Sequence, residues 1–174
     1  MCSHLRPVTI LKFDVGPVAC ALRPEDVGEV LPLPALDRPP ACPEALAGIL
    51  NLGGTAVPVL RLDRLFGLPA SPPAADQVVL LLRDRRPPLA VLADRATGVA
   101  AVDPDRLLPV PEGETCNGCV AALVAPGPDA DGPAVQLLSA ERLVDARERQ
   151  ALADFQAMQQ RRLDALQAAA EAQP

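Results

Sequence analysis

The chain contains no tryptophan and no tyrosine, and phenylalanine occurs only at 13, 66 and 155. Without aromatic faces there is almost nothing on which bases or sugars could stack. Histidine occurs once, as His4, so triads of the Ser-His-Asp or Cys-His kind are effectively excluded. An excess of positive charge is missing as well. Sixteen Lys and Arg against twenty-two Asp and Glu give a net charge of -6, a field that repels phosphate backbones and anionic lipid. No apolar run approaches the length of a membrane span, and the first sixteen residues, MCSHLRPVTILKFDVG, lack the continuous apolar stretch of a signal peptide. Neither a Gly-x-Gly-x-x-Gly nor a Walker loop occurs. These absences predict a cytoplasmic protein that binds no nucleic acid, inserts in no membrane, needs no cofactor and is not an enzyme.

Five cysteines, at 2, 20, 42, 116 and 119, are an odd number outside any small secreted framework, so reduced thiols are expected. Cys116 and Cys119 form a C-x-x-C pair, the one motif that could hold a metal or act as a redox dithiol. Two further zinc ligands are lacking beside it, and its Asn117-Gly118 centre reads as a turn at the entrance of a strand. The acidic pairs Asp103 with Asp105 and Glu25 with Asp26 stand beside prolines and read as turn or cap residues.

What the chain has in quantity is punctuation. Twenty-one prolines and eleven glycines separate short apolar runs at the spacing of an all-β protein. Ten strands are predicted: 9–15, 17–22, 27–33, 49–52, 56–62, 77–83, 89–93, 98–102, 119–125 and 134–138. Proline-rich stretches at 33–45, 69–76 and 126–133 read as loops, the middle one as the boundary between two lobes. The halves resemble each other, GILNLGGTAVPVLRLDRLF against GCVAALVAPGPDADGPAVQLLSAERLV, which predicts two related small barrels. In Thr55–Leu62, alternation sends Ala56, Pro58, Leu60 and Leu62 one way and Thr55, Val57, Val59 and Arg61 the other, so this strand is expected to be buried on both faces. Pro58 removes a ladder donor and predicts an edge or a bulge. From Asp145 the composition turns to helix formers. Leu152, Phe155, Met158, Leu163 and Leu166 fall in one stripe, to be laid on the barrels or on a partner.

The segment GILNLGGTAVPVLRLDRLFGLP, with VGEVLPLP before it, resembles the signature of the CheW-like coupling domain, roughly G-V-x-N-L-R-G-x-x-x-P-V-x-D-L-R-x-L-F/L-G. The resemblance implies a pair of five-stranded barrels sharing a core over residues 7–144, with 145–174 as a C-terminal helical extension. It further implies a non-enzymatic adaptor of bacterial chemosensory signalling, whose partners are the regulatory domain of a histidine kinase and the cytoplasmic tip of a chemoreceptor. Partner contacts carried over from it fall at Glu29, Asn51, Leu52, Gly53, Gly54, Val57 and Pro58. Three positions depart from the pattern: the family arginine is Gly53, and the family aspartates are Arg61 and Ser139. Glu29 is therefore either exposed or compensated by Arg61. The alternative function is a thiol or metal sensor using Cys116 and Cys119 on the same scaffold.

Overall fold

The computed structural model describes residues 6–111, 118–128, 132–144 and 146–172. The strands are β1 (Val8–Val15), β2 (Val18–Leu22), β3 (Val27–Pro32), β4 (Leu46–Leu52), β5 (Thr55–Arg61), β6 (Val78–Leu82), β7 (Ala90–Ala93), β8 (Arg95–Val102), β9 (Leu107–Pro109), β10 (Val120–Val124) and β11 (Val135–Leu138). A single helical turn, α1 (Leu62–Leu65), follows β5, and a long helix, α2 (Ala146–Glu171), comes last. The ten predicted strands are all present. The additional one, β9, has three mostly exposed residues ending in proline, too short to show a period of two.

The strands form a six-stranded sheet in the order β8-β1-β2-β11-β10-β9 and a five-stranded sheet in the order β3-β6-β7-β5-β4. The likeness of the two halves is realised by exchange. The β1–β2 hairpin is joined by β8 on one side and β11 on the other, and the β6–β7 hairpin by β3 and β5 in the same way. Each half thus lends its first hairpin to the strands of the other. Residues 69–76 lie between α1 and β6, and the strands on either side, β5 and β6, both belong to the five-stranded sheet. The expected all-β body of two related units with a C-terminal helix is present, and it differs from the expectation in detail: one sheet has six strands, and among the described residues no ladder joins the edges of either sheet into a closed barrel. Short β9 ends in Pro109, and the one isolated bridge among the described residues joins Ile49 of β4 to Asp37.

The sheets share a core. Phe13, Cys20 and Leu22 from one meet Leu46, Leu60, Leu80 and Val91 from the other, with Leu62, Leu138 and Leu143 completing the cluster. Burying a leucine or phenylalanine of this kind contributes about 1.5–3 kcal/mol. A second cluster, with Ile10, Val102, Val124 and Leu137, fills the six-stranded side. A third, with Leu50, Val57, Val59 and Val79, fills the five-stranded side. β5 contributes Leu60 to the shared core and Val57 and Val59 to the third cluster, the two-faced burial that its alternation predicts.

Candidate functional site

β4 and β5 pair in one register from Gly48 with Val59 to Leu52 with Thr55, an irregularity separating these from the pair Leu46 with Leu60, and leave Gly53-Gly54 as a two-residue turn. Both glycines have positive φ, 57° and 91°, which this tight turn demands and side chains resist. The Asn51 carboxamide oxygen accepts the Gly54 N–H at 2.9 Å and fixes the tip. Asn51, Leu52 and Gly53 are exposed there, whereas Val57 and Pro58 lie buried lower in the hairpin. Glu29 is not brought to them: it sits exposed on β3, at the opposite edge of the sheet, with β6, β7 and β5 between β3 and β4.

β5 is flanked by strands on both sides only from Val59 onward, because β7 pairs in parallel with Val59, Leu60 and Arg61 alone. Pro58 therefore lies on an interior strand but within its locally unpaired half, where a missing N–H costs no ladder bond. Along that half α2 takes the place of a neighbouring strand. The Gln160 oxygen accepts the Ala56 N–H at 2.8 Å, its amide nitrogen donates to the Gly54 carbonyl at 2.7 Å, and Gln156 donates to the Ala56 carbonyl at 3.0 Å. Gln160 also donates to Asp164 at 2.9 Å, which holds the amide in orientation. A side chain at Gly54 would come within 3.1 Å of the Gln167 amide. The helix is anchored on the shared core by Leu152 and Phe155, while Met158 and Leu166, counted in the apolar stripe, are 47% and 60% exposed. α2 thus packs on its own chain, directly over part of the expected partner site. Spacing alone did not reveal the glutamine clamp, because Gln156 and Gln160 flank the stripe and read as solvent-facing. Asp145, expected at the start of this helix, lies outside the described residues.

Arg61 does not compensate Glu29. Its guanidinium is paired with Asp63 two residues on, with Nε donating to Oδ1 at 3.1 Å. Burial pushes the Asp63 carboxyl up, but the Arg61 hydrogen bond and charge and the backbone N–H groups of Arg64 and Ser71 outweigh it and hold the group below the usual carboxylate range. Ser71 continues the network by donating its hydroxyl to Asp94 at 2.8 Å, and Asp94 also accepts from Gln77 at 3.1 Å and from the Gly16 N–H at 2.6 Å. The network borders a cavity of about 330 Å³ and ties the β1–β2 turn to the end of β5.

Among the described residues no group of three or more His, Cys, Asp or Glu is placed to hold a metal, and no helix is long and apolar enough to cross a membrane. Cys116 and His4 lie outside the described residues. Cys119 is fully buried in the shared core beside Cys20. Burial, with additions from Asp14 and Cys119, pushes the Cys20 thiol up to about 12, so that it stays protonated and unreactive near neutrality.

A profile of the CheW-like domain family matches residues 9–148. The probable chemotaxis protein CheW of Rhizobium etli is 23% identical over 103 residues, which is 59% of this chain and 66% of that protein, just under two thirds of its length. Among solved structures, the scaffolding protein TtCheW from Thermoanaerobacter tengcongensis superimposes with a TM-score of 0.70 at 22% identity, covering 85% of this chain and 94% of that one. The structural likeness is one of fold.

Proposed function

The chain belongs to the CheW-like domain family, and from that premise we propose that it is a non-enzymatic adaptor of bacterial chemosensory signalling, coupling a chemoreceptor tip to the regulatory domain of a histidine kinase in the cytoplasm. The observation that carries the reading is the family match over residues 9–148, nearly all of the two-sheet body. The chemistry of the surface agrees with it. Docking needs apolar anchors with a polar rim rather than reactive groups, and Leu52, Val30, Val99 and Leu108 are large apolar side chains left exposed on the strands. The thiol alternative is less well supported, since Cys119, one half of its pair, is packed inside the shared core.

The test is binding with purified components: the chain against the regulatory domain of the kinase and against receptor cytoplasmic fragments from the same organism, by calorimetry and by co-sedimentation with receptor assemblies. Saturable one-to-one binding to both is expected, with weakening when Leu52 or Asn51 is replaced by Asp. Absence of binding to either class across the cognate set overturns the adaptor role.

A further inference from the structure

Four backbone features of the β5 half-edge bear on what can sit there. The Ala56 N–H, the Ala56 carbonyl and the Gly54 carbonyl point away from β4 and are satisfied by two side-chain amides of α2. The next residue facing that way, Pro58, has no N–H to offer, so a strand laid along this half would lack one ladder bond above the point where β7 begins to pair. Such an edge suits a helix carrying carboxamides one turn apart, which reach the backbone groups that a strand would otherwise meet. Apolar anchors lie immediately before them, as Leu152 and Phe155 do before Gln156 and Gln160.

The C-terminal end of α2 is only loosely seated. Its fit leaves a gap of about 50 Å³ between Ile49, Asn51 and Ala56 on the sheet and Leu163 and Leu166 on the helix. From Asp164 to Ala172 every helical residue is exposed. One ion pair from this end to the body, Arg162 with Asp37 at 3.8 Å, is more than half exposed on both sides and contributes little. The covered hairpin lies within the family match, whereas Gln156 and Gln160 lie beyond its last residue, 148. Surface and occupant are thus separate parts of the chain.

We infer that the half-edge from Gly54 to Pro58 is a helix-docking surface, occupied in the free protein by the chain's own α2, and that an amphipathic helix of a partner bearing two carboxamides one turn apart binds there by displacing it. The linked helix competes at a high effective concentration, which lowers the apparent affinity of any incoming helix. The inference goes beyond the adaptor reading and can be tested without it, because the chain's own helix serves as the probe.

The probe is a fluorescein-labelled peptide of residues 146–172, stapled through the exposed positions 157 and 161 to hold it helical. It is titrated by anisotropy into the full chain and into the full-length Gln156→Ala, Gln160→Ala variant. The variant should bind the peptide about tenfold more tightly than the parent, its own helix competing less well. A peptide carrying the same two replacements should bind the variant about tenfold more weakly than the unaltered peptide. In parallel, amide exchange at Ala56 should rise in the variant while Val57, paired to β4, and Leu80 in the core keep their protection. Retained protection at Leu80 reports that the variant is folded; if it is lost, Gln160→Ala alone takes its place. Equal binding to parent and variant, no binding at millimolar protein, or unchanged exchange at Ala56 would overturn the inference. Failure here leaves adaptor binding intact, and failure of adaptor binding leaves this outcome intact.

Discussion

The two halves end their last strands on parallel segments, Leu60-Arg61-Leu62-Asp63-Arg64-Leu65 and Leu138-Ser139-Ala140-Glu141-Arg142-Leu143, and the structure treats their apolar and polar positions differently. In the first, Leu62 is fully buried and Leu65 only partly; in the second, the small Ala140 is buried and Leu143 takes the deep position. Large and small change places, and the shared core is filled from both sides. The polar positions do not balance in this way. Arg61 gives Asp63 a counter-charge, and Asp63 can be buried at the head of α1, within a network that reaches Asp94. Ser139 has no charge to give, and Glu141 stays exposed on a turn held by backbone bonds, from Ser139 to Cys119 at 2.7 Å and from Arg142 to Ser139 at 3.0 Å. The lesson is that apolar volume can be exchanged between repeated halves, whereas a buried charge is tolerated only where its partner is supplied locally.

The largest effect is expected where the halves are alike. Leu62→Ala and Leu143→Ala should each lower stability by about 2–5 kcal/mol, measured by urea denaturation, because both side chains are fully enclosed. A small loss at one of the two would break the symmetry of the shared core. The next effect separates the halves. Arg61→Ala should cost about 3 kcal/mol by stranding the buried Asp63 carboxylate, while Glu141→Ala, on the exposed turn, should change stability by less than about 0.5 kcal/mol. If the two substitutions melt alike, the Arg61–Asp63 pair is not what distinguishes the first half.

The smallest effect concerns acid. Because the folded-state carboxyl of Asp63 is held below its ordinary value, its stabilisation is complete above the unfolded value near 3.9 and is lost as pH falls through the folded value. Urea midpoints recorded from pH 6 to pH 2 should therefore fall less steeply at the acid end in Asp63→Asn than in the parent.

Much of this was legible beforehand, and for identifiable reasons. β5 could be read as buried on both faces because Val57, Val59 and Leu60 are apolar on alternate sides, and the Gly53-Gly54 turn because only glycine accepts those dihedrals readily. The glutamine clamp was hidden, since a carboxamide on a helix looks the same whether it faces water or a strand edge. β9 was hidden because three residues ending in proline carry no alternation. The placement of Glu29 was hidden too, since two β3 neighbours in the chain say nothing about which edge of the sheet β3 will take.

By itself the sequence determined the all-β class, the strand segments, the repeat and the family signature, because periodicity, turn chemistry and motif spacing are properties of local order along the chain. Tertiary structure alone decided three further things: that each half lends its first hairpin to the other, that Arg61 answers Asp63 rather than Glu29, and that α2 lies over the Gly54–Pro58 edge. Each depends on which backbone groups and charges would otherwise be left without partners once distant segments pack together. That is settled only when the whole chain has closed around its shared core.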